Sequence, residues 1–403
     1  MKFSKLSQLF LVSTIGLVVA TLFTACNLVT IDYVFLATSA ATDKCSGGQI
    51  ETYAVDSQSG AVRPAKDPVC SGGVTPVALA ISPGYQNLYV ANQADKTVVH
   101  FSVADNGVIT AKDTVTLSTA PVSLAVDPSG NALYVVSGTT SATLTVFAMS
   151  SGTIGAPTSQ QALTIPGHET DLIVPTGVTV LANGSAVYAT AYDMSAYNPG
   201  GTTTSTANPG WIFGFSTGTG GALIGSAGSP FKAGVKPSAL AADPTSRFVY
   251  VTDFASNQLV AYGVYSGGVL NFLLNGPFRT GSEPTSVAID PRGKFMYVSN
   301  ALDSSVTAYV IDLPTGTPST AVNPTGSATN STDTQPNAIT VDPALGRFVY
   351  TANILGNSIS GFRLDPTAGT LAQTQSTPYP SGSKPTALVA VPHGNHSIQT
   401  VTP

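Results

Sequence analysis

A chain of 403 residues with 43% apolar and only 9% charged residues has the material for a packed core and too little charge for a disordered chain or a coiled coil. Its 16 basic residues stand against 21 acidic ones, a net charge of −5, which leaves no basic footprint for nucleic acid.

The chain opens with a targeting segment. Lys2 and Lys5 precede an apolar run from Leu9 to Phe23 that ends in small residues and is short for a membrane-spanning helix. The stretch Leu22-Phe23-Thr24-Ala25-Cys26 resembles a bacterial lipoprotein signal, with Phe23 where Leu is usual. The resemblance implies a signal peptide over 1–25, lipid on Cys26, a tether over 26–32, and a protein anchored to a bacterial membrane and facing the periplasm or the exterior. A plain transmembrane anchor, or an ordinary signal peptide that happens to contain a Cys, are the other readings. With Cys26 lipidated, Cys45 and Cys70 remain as a pair that can form a disulfide outside the cytoplasm or stay as free thiols. No Cys/His spacing suggests a metal site, and the acidic, sparsely charged composition suits an exported monomer.

From residue 33 onward one phrase recurs seven times: a Pro, an apolar alternation, then a turn that is usually Asp-Pro. It starts at Pro76, Pro121, Pro175, Pro237, Pro284, Pro336 and Pro385. A second phrase centred on Tyr follows the first six, at Tyr89, Tyr134, Tyr188, Tyr250, Tyr297 and Tyr350, and a seventh copy stands alone at Tyr33. Each unit holds four strand candidates; in the sixth they span 284–290, 295–300, 304–311 and, more weakly, 319–323. Period-two alternation punctuated by Gly, Pro, Asn and Asp marks strands and turns. Seven such units predict an all-β chain: a seven-bladed β-propeller of four-stranded antiparallel blades over 33–403. The first unit lacks its Pro phrase and the last has little else, so the strand near 385–391 is expected to complete the blade begun at 33–70. That closes the ring with N- and C-terminal strands and removes exposed sheet edges. Residues 396–401 form a rival Tyr-like strand for the same slot, read here as a tail.

The repeated Pro-x-x-Leu-x-Val-Asp-Pro and Tyr-Val-x-Asn phrases resemble the YVTN-type repeats of the seven-bladed lactonase propellers, a family that includes 6-phosphogluconolactonases and carboxy-muconate cyclases. The resemblance covers about 33–392. It implies a lactone (carboxylic ester) hydrolase with no cofactor, acting on a sugar lactone or related cyclic ester. That family typically carries an Arg-His pair in one Pro phrase; here the matching positions are Ser238, Thr285 and Asn337. The alternative is a non-catalytic extracytoplasmic propeller that binds a glycan, peptide or protein.

Ligands of propellers sit where the inner strands begin, which here means the Pro phrases. The residues before each Pro are Thr75, Ala120, Val174, Lys236, Glu283, Gln335 and Lys384. A carboxylate between two ammonium groups can act as a general base while the cations stabilise an oxyanion. Glu283, Lys236 and Lys384 are therefore catalytic candidates, and Gln335 and Asn337 ligand-binding ones. His168, with Glu169 and Asp171 just ahead of Pro175, is a further acid–base candidate. His100 is expected to face outward on its strand, and His393 and His396 to be solvated in the tail. Asp127, Asp243, Asp290 and Asp342 read as turn residues of the Asp-Pro corners, and the Tyr set as core packing.

Overall fold

The computed structural model describes residues 29–197, 209–218 and 221–393. The signal segment, Cys26 and the 396–401 strand candidate lie outside them. The strands form seven antiparallel sheets arranged as blades around a channel. The inner strands are Pro76–Ile81, Pro121–Val126, Ile173–Val180, Pro237–Ala242, Pro284–Ile289, Pro336–Val341 and Pro385–Pro392. We number the blades one to seven in chain order. Blade one consists of Thr30–Thr38, Gln49–Asp56, Val62–Cys70 and the C-terminal inner strand, so the ring is closed by the two ends of the chain. In blades four to seven the outer position is shared by two short strands, as in blade six, where Pro318–Thr320 and Thr329–Ser331 both pair with Ser305–Ile311.

Every Pro phrase bends its strand in the same way. The pairing of inner and second strands shifts immediately after each Pro, leaving Val77, Val122, Thr176, Ser238, Thr285, Asn337 and Thr386 as the extra residue of a β-bulge. Pro carries no N–H for the ladder, so a bulge is where a strand tolerates it.

The tyrosines join blades. The hydroxyls of Tyr89, Tyr188, Tyr250, Tyr297 and Tyr350 donate to the carbonyls of Gly152, Gly268, Gly316, Gly369 and Gly60. Each acceptor glycine sits at positive φ in the hairpin between the third and outer strands of the next blade. A side chain at Gly60, Gly316 or Gly369 would strike the ring of Phe348, Phe248 or Phe295 within 2.3 Å, so these corners need glycine for space as well as for conformation. The rings are fully buried and each contributes about 2–3 kcal/mol of apolar burial.

Two expectations change here. The copy of the Tyr phrase in blade one is out of step by two residues. Tyr350 pairs with Thr340, the fourth residue after its Pro, and in blade one the equivalent Val389 pairs with Phe35. Phe35 therefore fills the tyrosine's slot, and Tyr33 fills that of Phe348, lying under Gly107. His100 is not outward-facing: it is 3% exposed, with Nδ1 2.6 Å from Asp113 Oδ1 and Nε2 2.8 Å from Asn87 Oδ1, and it stacks on Tyr89. Asp113 also accepts the N–H of Ile154, so the histidine belongs to the seam between blades two and three. His393 lies edge-on to Tyr33 and its N–H donates to Ile31. Cys45 and Cys70 are joined by a disulfide in blade one.

Candidate functional site

All seven inner strands run outward from the same face, so the Pro ends ring one mouth of the channel. The residues before the Pro are held there by an unusual backbone. Thr75, Glu283, Gln335 and Lys384 have φ between 54° and 60°, a left-handed conformation that costs roughly 1–2 kcal/mol in a non-glycine residue. The preceding blade pins three of them. Asn257 accepts the N–H of Glu283 at 2.8 Å, Ser304 that of Gln335 at 3.3 Å, and Asn357 that of Lys384 at 2.9 Å. Consecutive blades six, seven and one thus present a carboxylate, an amide and an ammonium from the same place on the mouth.

One side of the mouth is polar and the other is not. Ser238 donates to the carbonyl of Pro284 at 2.6 Å, Thr285 to Pro336 at 2.9 Å, Asn337 to Thr386 at 3.0 Å and Thr386 to Pro76 at 2.7 Å. These bonds staple blades five, six, seven, one and two together. Val77 and Val122 occupy the same bulge in blades two and three and continue the ring as apolar wall. The amide of Asn337 is thereby committed to the neighbouring blade.

The candidate charges do not meet. No ion pair joins Glu283 to Lys236 or Lys384. The Lys236 ammonium instead lies 4.8 Å from the ring centre of Phe254, 5.4 Å from Tyr197 and 5.5 Å from Tyr192, a cage of cation–π contacts. Tyr192 comes from the second strand of blade four, and Tyr197 and Phe254 from the segments that follow the second strands of blades four and five; nothing in the local sequence of Lys236 signalled them. Lys384 is exposed. His168 is exposed in the connection leading to blade four, paired with Asp171 at 2.9 Å, while Glu169 accepts the Gly167 N–H, which holds its carboxyl below the usual range. Neither reaches Glu283.

The acids of the mouth differ in what remains to them. Asp253 accepts the N–H groups of Val235 and Lys236, Asp303 that of Ser282, and Asp333 that of Thr334 together with the Ser358 hydroxyl. Asp193 accepts from Ser195 and Ala196. The Glu283 side chain is half-buried and, among the described residues, accepts nothing. Two apolar side chains stand on the same rim: Leu302 and Leu355 are 68% and 65% exposed on the turns of blades six and seven. Among the described residues no group of three or more His, Cys, Asp or Glu side chains could hold a metal ion.

Residues 34–172 and 232–396 match the family model described as lactonase, 7-bladed beta-propeller. The chain belongs to that family. Solved structures of the same fold include the periplasmic gluconolactonase of Pseudomonas aeruginosa, with TM-score 0.71 and 18% identity over 91% of this chain and 100% of that one. A putative 6-phosphogluconolactonase from Bacteroides fragilis gives 0.70 and 19% over 91% and 99%. One from Bacteroides uniformis gives 0.72 and 17% over 90% and 100%. At these identities the likeness is one of fold. No curated protein sequence matches this lactonase-family propeller.

Proposed function

We propose that this lactonase-family propeller opens a neutral lactone, a sugar lactone or related cyclic ester, at the channel mouth. The observation that carries the reading is the uncommitted Glu283 carboxylate, placed beside the channel while its acidic neighbours are spent on backbone N–H groups. Glu283 takes a proton from the water that attacks the lactone carbonyl. The Gln335 amide and the Lys384 ammonium, on the next two blades, offer donors to the oxyanion. The proton returns to the ring oxygen as its bond to carbon breaks, so lactone and water become a hydroxy acid. Asp303 and Asp333 beside Glu283 disfavour a phosphorylated substrate by like-charge repulsion.

We further place the protein outside the cytoplasm, held by lipid on Cys26. The Cys45–Cys70 disulfide supports an oxidising compartment, and the fold is shared with a protein named a periplasmic gluconolactonase. A mass measurement on the N-terminal peptide of the mature chain tests the lipid.

A second reading, a non-catalytic mouth that binds a glycan, peptide or protein, is favoured by the engagement of Lys236 with its ring cage. Proton release from a neutral sugar lactone, a phosphogluconolactone and an acyl-homoserine lactone, each measured against heat-denatured protein, separates the two. Turnover of the neutral lactone above control is expected, falling by about 100-fold or more in Glu283→Gln. Background rates across the panel overturn the hydrolase and leave the binding mouth.

A further inference from the structure

We propose that the face of the propeller opposite the mouth rests on an anionic lipid bilayer, so that the channel mouth points away from the membrane. The inference goes beyond the lactonase reading and, for the anchor alone, rests on lipid at Cys26.

Topology fixes where the chain begins. The first strand, Thr30–Thr38, is antiparallel to the closing inner strand, with Thr38 opposite Pro385 at the mouth and Asp32 opposite Pro392 at the far end. Val29 therefore enters on the face that carries the Asp-Pro turns and the hairpins between third and outer strands. Val29 is three residues on from Cys26, a reach of roughly 10 Å when extended. A lipid on Cys26 cannot draw the mouth to the bilayer across the depth of a blade; it holds the hairpin face there.

Charge is sorted the same way. Of the six arginines, five lie on or beside the hairpin face: Arg63, Arg247, Arg292, Arg347 and Arg363. Lys294 joins them in the turn of blade six. Blades five, six, seven and one form one continuous arc, and blade one is where the chain enters. Arg63, Arg247, Lys294, Arg347 and Arg363 are exposed. Arg292 is partly committed, paired with the buried Asp290 at 2.7 Å. Asp56, Asp243, Asp290 and Asp342 of the arc are buried, which leaves Asp312 and Asp365 as its exposed acids against those five exposed bases. The mouth of the same blades carries Glu283, Asp253, Asp303 and Asp333 together with Lys44, Lys236 and Lys384. A chain with a net negative charge thus keeps five of its six arginines on the side where Val29 enters, the arrangement that suits a negatively charged headgroup layer within a Debye length.

The native lysines report the orientation. The full mature chain is bound to vesicles of phosphatidylglycerol and phosphatidylethanolamine, acylated with an amine-reactive probe, and compared with the same chain in detergent. Lys294 on the hairpin face is expected to be labelled several-fold less on vesicles, with Lys44 and Lys384 on the mouth face unchanged. The protection is expected to fade with salt and in the Arg347→Glu/Arg363→Glu chain. Equal labelling on both faces, or protection of Lys384, overturns the proposal. If the N-terminal peptide carries no lipid, the anchor reading fails separately. The unlipidated chain with the same vesicles then decides the face: protection of Lys294 upholds it, and its absence, or equal protection on phosphatidylcholine alone, overturns it.

Discussion

The hydroxyl of Tyr350 donates to the carbonyl of Gly60 at 2.8 Å, across 290 residues of sequence. It is one of the bonds between blades seven and one, repeating at the closure what Tyr250 and Gly316 do between blades five and six. Tyr350→Phe removes one buried donor and leaves the Gly60 carbonyl unpaired, at a cost of about 1–3 kcal/mol. Urea midpoints of Tyr350→Phe and Tyr250→Phe are expected to fall together. A loss confined to Tyr250→Phe would mean that the closure is looser than an ordinary blade seam.

Asp32 lies at the same closure, 0% exposed, with no hydrogen-bond partner for either carboxyl oxygen among the described residues. Burial, and after it the nearby Asp342 carboxylate, push its pKa from 3.8 to about 9. Between those values the folded chain keeps a proton that the unfolded chain has released. The contribution of Asp32 is therefore full below about pH 4 and is lost as pH rises toward 9. Asp32→Asn is expected to flatten the decline of stability between about pH 5 and 9, read from urea midpoints across that range. An unchanged slope would show that Asp32 titrates normally.

Ala132 stands where blades five, six and seven have Phe248, Phe295 and Phe348. Beneath it Tyr134 makes no such glycine bond among the described residues, and a space of about 330 Å³ opens among Asp127, Tyr134, Thr158, Thr217 and Gly221. Ala132→Phe is expected to fill part of it and stabilise the chain by about 0.5–2 kcal/mol, seen as a higher urea midpoint at unchanged slope. A lower midpoint would show that the hairpin cannot accommodate the ring.

The repeat was legible because each Pro phrase carries its own bulge and turn, local features that spacing alone reveals. The register of blade one was not. A shift of two residues leaves every side chain on its original face, so alternation cannot distinguish Tyr33 from Phe35; only pairing with Val389, more than 350 residues away, does so. The same limit explains His100. Its partners Asp113 and Asn87 stand on the flanking strands of blade two, and a histidine in an alternating strand shows nothing of what faces it. At the mouth, the residues before each Pro could be placed from sequence. What each side chain does there depends on neighbouring blades, as with the rings of Tyr192, Tyr197 and Phe254 that draw Lys236 away from Glu283.

The closing strand also sets a schedule. Pro385–Pro392 is made long after Thr30–Thr38, which waits for it with one edge unpaired. Six blades can assemble from sequence neighbours, but the first stays incomplete until residues 385–392 join it. A nascent chain stalled before residue 385 would hold an open sheet edge and no ring. For this protein the step most exposed to aggregation is thus the interval between Thr30–Thr38 and the strand that closes on it.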